Sequence, residues 1–310
     1  MLGPVLLAAA RSDRMRRVVA AAPVTRPVVN RFVAGDELHR AMDAVRTLTS
    51  SGLDVTLDHL GEDVHDRATA HATRDAYLRL LETLRDQKLA ARAEVSVKLS
   101  AFGQALPDGG HDIALDGVRR VAELATEIGT TVTLDMEDHT TVDSTLAVLH
   151  ELRREHPSTG AVLQSYLFRT EDDARALATA GSRVRLVKGA YKEPAGVAFQ
   201  DKRDVDKAYV RALRTLFAGD GHPMVGSHDP RMIAIAQELA ARHHRGPGTY
   251  EFQMLYGIRT AEQRRLADEG ERMRIYVPYG ADWYGYFMRR LAERPANLAF
   301  FLRSFAPTGR

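Results

Sequence analysis

Five basic side chains in this 310-residue sequence stand where they could do chemistry: Lys98, Arg185, Lys188, Arg289 and Arg290. The chain has only six lysines against 37 arginines, and Lys98 and Lys188 both fall inside runs that read as strands. A buried ammonium is costly unless it is paired. Such a residue is therefore either half of a structural ion pair or part of a site. Lys98, Arg185 and Lys188 close to one rim suit an anion such as phosphate or carboxylate. Arg289 and Arg290 are adjacent in the last helical pattern, after Asp282 and before Pro295. Neighbouring helical residues diverge by about 100°, yet two long guanidinium groups can converge on one carboxylate. An Arg289–Glu293 pair at i,i+4 has the weaker of the two orientations, so helix stabilisation explains the doublet poorly. Tyr286, one turn earlier, is expected to face the same way as Arg289. With Tyr191, Tyr256, Tyr276, Tyr279 and Trp283 it makes an aromatic cage suited to a small amino or carboxylic acid.

Other chemistries are weaker. No HxH, HExxH or three-histidine set is present, so no metal is expected; Glu137–Asp138–His139 is the nearest approach to a ligand cluster. Lys98 or Lys188 could serve as a Schiff-base nucleophile of an aldolase-type lyase, which is the alternative reading. Singly, His139 and His228 read as hydrogen-bonded core histidines. Asp138 and Asp229 read as helix N-caps.

The elements that must position these residues form a series. Short β-like runs begin at Leu53, Ala93, Thr131, Ala161, Arg183, Pro223, Tyr250 and Arg274. Most are rich in Val, Leu, Ile, Thr or Tyr. Between them lie helix-period stretches; Tyr77, Leu80, Leu81 and Leu84 share one face, and Leu115–Ile128 offers Leu115, Val118, Val121, Ala122, Leu124, Ala125 and Ile128. Eight such units predict an α/β fold, a parallel (β/α)8 TIM-type barrel whose site lies where strands end. An open doubly wound sheet would need a Gly-rich turn after the first strand, and Asp58–Glu62 (DHLGE) is not one. Residues 1–50, divided by Pro4, Pro23 and Pro27, are expected to be an N-terminal helical arm, and 51–310 the catalytic barrel.

Composition narrows the function classes. The formal charge is +2 with no basic block, which argues against nucleic acid as a partner. With no cysteine there is no disulfide framework, thiolate nucleophile or Cys-ligated metal. No run reaches the roughly 18 apolar residues of a membrane span. Leu2–Ala10 is apolar but its arginines follow rather than precede it, the wrong order for a signal peptide. The expected location is cytoplasmic.

At this point longer stretches match a family. VNRFVAGD (29–36), LDHLGED (57–63), VSVKLS (95–100), LDMED (134–138) and LQSYL (163–167) are followed by RLVKGAYKE (185–193), SHDP (227–230), EFQMLYG (251–257) and RIYVPYGADWYGYFMRRLAERPANL (274–298). In that order they resemble proline dehydrogenase in its monofunctional bacterial form, the FAD-dependent enzyme of proline catabolism. The chain ends soon after the last block, so no fused second dehydrogenase is expected.

The resemblance implies a distorted barrel holding FAD on its strand ends, so the absent Gly-rich turn counts against nothing. It implies oxidation of L-proline to Δ1-pyrroline-5-carboxylate, with electrons passing to a quinone and peripheral contact at the inner face of the membrane. Carried over by position, Arg289 and Arg290 would grip the substrate carboxylate with Lys98 as third cation. Tyr191, Leu255, Tyr276 and Tyr286 would wall the proline ring. Arg185 would sit near flavin N5, Gln164 near the pyrimidine edge, and Asp135 and Met136 in the flavin-proximal floor. Lys188, Gly189, Ala190, Ser227 and His228 would contact the cofactor further along. Asp135 and Arg185 would be the catalytic pair, and Glu62 would close the site by pairing with Arg289. Tyr276, where hydroxyproline-oxidising relatives resemble a small serine, implies proline over 4-hydroxyproline. Lys192 departs from the aromatic of fused relatives, which implies less stacking at the adenine end.

Overall fold

The computed structural model describes residues 26–61 and 64–293, except the side chains of Pro27, Ala292 and Glu293. The expected helix at Leu2–Ala10 and the gate residue Glu62 lie outside the described residues.

Eight parallel strands close into a barrel in sequence order: β1 (Asp54–His59), β2 (Ala93–Val97), β3 (Val132–Leu134), β4 (Gly160–Gln164), β5 (Arg183–Val187), β6 (His222–Gly226), β7 (Glu251–Leu255) and β8 (Met273–Tyr279). The expected (β/α)8 barrel is thus present. A helix follows each of the first seven strands, with a short 3-10 turn at Leu99–Phe102 between β2 and its helix: α3 (Arg67–Asp86), α4 (Gly110–Glu127), α5 (Val142–Glu155), α6 (Thr170–Leu177), α7 (Lys202–Ala218), α8 (Pro230–Arg242) and α9 (Thr260–Asp268). Asp66, Asp201 and Asp229 cap α3, α7 and α8 by accepting backbone N–H groups at Thr69, Arg203 and Arg231. The strands differ from expectation mainly at their ends. Lys98 and Lys188 lie one residue beyond β2 and β5 rather than within them, because the chain turns there into the rim.

Strands alternate sharply between the two faces of the barrel. Val55, Leu57, Val95, Val97, Val184, Leu186, Phe252, Met254, Ile275 and Val277 join the helices in one apolar core. Their alternates, which point to the opposite face, are Glu94, Ser96, Arg185, Glu251, Gln253 and Arg274, all buried. These polar side chains bond to one another across the lumen. Arg274 Nε donates to Glu251 Oε1 at 2.8 Å, Arg183 Nη2 to Glu94 Oε2 at 2.7 Å, and Gln253 Nε2 to Glu251 Oε1 at 2.5 Å. Branched apolar residues usually fill such a lumen; here a charged network does.

The two elements flanking the series trade places. Helix α2 (Leu38–Ser50) puts Ala41, Met42 and Val45 into the main core and packs on β1 and β8, the outer position expected of a helix after β8. The helix that does follow β8, α10 (Trp283–Glu293), belongs to a second apolar cluster. In it Tyr284, Tyr286, Phe287, Met288 and Leu291 meet Val28 and Val29 of α1 (Arg26–Val29), then Phe32, Val33, Leu60 and Ile258. Leu60 follows β1 and Ile258 follows β7, so α10 lies across the mouth where these strands end. The distortion of the barrel is this displaced helix.

The VNRFVAGD segment seats it. Ala34 donates to Pro278 O at 2.9 Å and Gly280 to Gly35 O at 2.9 Å. Gly257 (φ +71°) lies so close to the Arg31 carbonyl that a Cβ has no room. Phe287, fully buried, contacts Phe32 and Trp283 with centroids at 6.3 and 5.8 Å. Phe287→Ala is expected to cost about 3–5 kcal/mol. The loss should fall on α10, with faster amide exchange there than in the strands, read by hydrogen exchange.

Candidate active site at the C-terminal mouth of the barrel

At the mouth, six residues in or just beyond six different strands form one hydrogen-bonded set. Lys98 Nζ donates to Asp58 Oδ2 at 2.6 Å. The Tyr276 hydroxyl stands 2.7 Å from Asp58 Oδ2 and 2.7 Å from Asp135 Oδ2. Asp135 Oδ1 accepts from Arg185 Nη1 at 2.6 Å, and Arg185 Nε donates to Gln253 Oε1 at 2.5 Å. Arg185 also lies over the Tyr276 ring, 5.4 Å from its centroid. Burial, then the carboxylates of Asp135 and Asp58, push the Tyr276 phenol well above its ordinary value, so it stays protonated.

Each rim cation has an acidic partner, the ion-pair alternative read from the sequence. Lys98 has Asp58, Arg185 has Asp135, and Lys188 Nζ lies 2.5 Å from Asp206 Oδ1 and 3.1 Å from Asp229 Oδ2. Partial burial makes such partners necessary. Both lysine side chains are engaged by carboxylates rather than free to attack a carbonyl, which removes the support for a Schiff-base lyase using Lys98 or Lys188.

Helix α10 supplies the remaining cations. Arg290 is buried and stacks on Tyr286, its guanidinium carbon 5.1 Å from the ring centroid. Tyr286 therefore supports Arg290, at i+4. Leu255 and Tyr276 pack against the same apolar cluster as Tyr286, which unites these three expected wall residues. Tyr256 and Tyr279 instead pack with the main core, outside that cage.

The other expected contacts occupy the β4–β6 side of the rim. Gln164 Nε2 donates to the Glu137 carbonyl at 2.6 Å, while Met136 shares a small apolar patch with Val162, Tyr166 and Leu167. Tyr191 is half-buried and its backbone N–H reaches the Tyr166 hydroxyl. Gly189 has φ +112° and no space for a Cβ beside the Tyr166 ring, while Ala190 is exposed. Ser227 Oγ accepts from Asp229 N at 3.1 Å, and His228 Nε2 accepts from Leu255 N at 2.9 Å. His139 pairs with buried Glu193. Glu137, the centre of the candidate ligand cluster, is bound by Ser100 N and Oγ at 3.1 and 2.7 Å. Among the described residues no group of three or more His, Cys, Asp or Glu could hold a metal.

Residues 41–303 match the family model described as proline dehydrogenase. The chain belongs to the proline dehydrogenase family. It is 40% identical over 279 residues to proline dehydrogenase 1 of Bacillus subtilis (strain 168), covering 90% of this chain and 91% of that one. It is 41% identical over 280 residues to the proline dehydrogenase of Deinococcus radiodurans, covering 89% of each. Among solved structures it resembles proline utilization A from Bdellovibrio bacteriovorus inactivated by N-propargylglycine, with TM-score 0.81 and 26% identity. That match covers 92% of this chain and 34% of the other. The enzyme is an oxidoreductase acting on proline in the first step of proline catabolism. No described helix is long and apolar enough to cross a membrane.

Reasoning from the sequence places Asp58 and Glu251 among the polar residues of the first and seventh strands but does not make Asp58 the hub of the mouth, and it misses Glu94 and Arg274 beneath it. A signal was there. DVTLD, EVSVK, RVRLV, EFQM and RIYV alternate polar and apolar, whereas a parallel strand covered on both faces reads as a continuous apolar run.

Proposed function

We propose that the enzyme binds FAD at the barrel mouth and oxidises L-proline to Δ1-pyrroline-5-carboxylate. What most supports this reading is a mouth of matched charges roofed by a helix carrying an arginine doublet. Arg289 and Arg290, with Lys98, hold the substrate carboxylate; a guanidinium pre-ordered on a ring loses little freedom on binding. Leu255, Tyr191, Tyr276 and Tyr286 exclude water from the proline ring, and the bulk of Tyr276 favours proline over 4-hydroxyproline. The donor chemistry of the β4–β6 rim fits a flavin nucleotide. An apolar patch around Met136 and Tyr166 lies beside the Gln164 amide and the backbone of Lys188 and Gly189, with Ala190 next in sequence; Ser227 and His228 follow β6, the strand beside β5. A flavin, when bound, supplies the hydride acceptor and passes the electrons on to a quinone, met by peripheral contact with the membrane. Arg185 stands as the cation beside that acceptor and Asp135 fixes its direction.

The test is a visible absorbance spectrum of the purified protein before and after anaerobic addition of L-proline. A flavin spectrum that bleaches is the expected result. A colourless protein, inert after reconstitution with FAD, would discard the reading.

A further inference from the structure

We infer that Asp58 is the resting place of the proton that proline's ammonium gives up before it is oxidised, reached through Asp135 and Tyr276. The inference rests on the mouth being the proline site.

Three oxygens stand in a row: Asp58 Oδ2, Tyr276 Oη and Asp135 Oδ2, with both gaps 2.7 Å. A contact that short needs a hydrogen in it. The row has two gaps, and the phenol supplies one hydrogen; ionised carboxylates supply none. The neighbouring cations do not fill the second gap. Lys98 Nζ approaches Asp58 Oδ2 from β2; Arg185 aims Nη1 at Asp135 Oδ1 and Ser96 Oγ and Nε at Gln253 Oε1, and its Nη2 makes no hydrogen bond to the row. The row is therefore one proton short.

Proline brings that proton. Loss of hydride from its C5 requires a lone pair on nitrogen to form the C=N bond, and the ammonium has none. In the step inferred here one N–H bond breaks, its electron pair stays on nitrogen, and an O–H bond forms on a carboxylate. No electrons leave the substrate in that step. Asp135 and Tyr276 are only half-buried at the mouth and receive the proton; Asp58, fully buried behind them, keeps it. The reason it moves inward is charge. Asp135 retains its ion pair with Arg185, while a neutral Asp58 leaves the charge of Lys98 to the substrate carboxylate. The groups facing Asp58 are Lys98, Tyr276 and the Tyr77 hydroxyl at 3.4 Å from α3, with His59, Tyr279 and Asp135 close enough to feel its charge. Burial lowers the His59 pKa, and burial raises those of Tyr77 and Tyr279, so none of the three competes for the proton near neutrality.

The test compares flavin-loaded wild type and Asp58→Asn with two substrates. Proline has a strongly basic amine; the ring sulfur of thiazolidine-4-carboxylate makes its amine far less basic, so it needs no acceptor near neutral pH. Asp58→Asn should lose about 10²-fold in kcat/KM for proline at pH 7, the scale of a lost proton acceptor. The loss should shrink as pH rises and be small for thiazolidine-4-carboxylate at every pH. An equal, pH-independent loss for both substrates would reduce Asp58 to a packing role and overturn the inference, as would no loss. Should the variant not fold, wild type decides. A kcat/KM for proline that climbs steadily up to the pKa of free proline means no acceptor on the enzyme, whereas a plateau reached well below it is the expected result. The anaerobic bleach by proline is read separately, so a failure of the dehydrogenase reading is not mistaken for a failure of Asp58.

Discussion

Replacing Arg289 or Arg290 by Ala is expected to raise the proline concentration that half-bleaches the flavin by about 10²–10³-fold, the usual cost of removing one partner from a buried charge pair. Flavin content should stay unchanged, because α10 roofs the mouth from the β7–β8–β1 side, away from the β4–β6 rim. The two positions differ in kind. Arg290 is buried on Tyr286, so its truncation also removes packing and should lower the thermal midpoint slightly. Arg290→Lys keeps the charge but neither the planar fork nor the stacking, and should recover only part of the affinity. The measurement is an anaerobic titration with L-proline followed by visible absorbance. An unchanged midpoint for both Ala variants would withdraw the carboxylate role from the doublet.

The second large effect lies deeper in the lumen. Glu251→Leu should destabilise the enzyme by about 3–5 kcal/mol, because it leaves Arg274 buried without its closest carboxylate. Arg274 donates to both Glu251 oxygens, at 2.8 and 3.2 Å, and both side chains are almost fully buried. The double variant Glu251→Leu/Arg274→Met should recover most of the loss, since a well-packed apolar pair can replace a buried ion pair. Turnover should not recover with it. Glu251 Oε1 accepts from Gln253 Nε2, and Gln253 Oε1 in turn holds Arg185 Nε, so the double variant loosens one of the contacts that orient the cation at the mouth. Denaturant unfolding and anaerobic turnover, measured on the same three proteins, separate the two consequences. A double variant that regains both would show that Arg185 stays oriented without Glu251.

The same carboxylate sets a pH dependence. Burial by itself would raise the Glu251 pKa, but Arg274, His222 and Arg183 carry it well below the ordinary glutamate value. A depressed folded value means the stability is present above the unfolded pKa of about 4.5 and is lost as pH falls towards the folded one. Wild type should accordingly weaken steeply in acid, and the double variant less so.

Much of this protein could be read from its residues alone. The 22- to 40-residue spacing of β-like runs is local information, and so is the period that put Tyr77, Leu80, Leu81 and Leu84 on one face of α3. Both survive because hydrophobic period and strand propensity act within a few residues of chain. The motif blocks likewise assign the family, since they are strings of adjacent residues. The partners inside the barrel were not legible in this way. Tyr276 and Asp58 are 218 positions apart and meet only because β8 closes on β1. Their meeting depends on barrel closure and strand register, which no short window of sequence contains.

The place of α10 was equally hidden. Its apolar face looks like that of an outer helix, because periodicity states that a face must be covered and not which surface covers it. Only the packed molecule, with Phe287 against Phe32 and α2 already on β1 and β8, decides that this helix lies across the mouth. Helix type and strand order were thus set by residue chemistry along the chain. Which charge neutralises which, and where the arginine doublet stands, were set by contacts between segments that the chain keeps far apart.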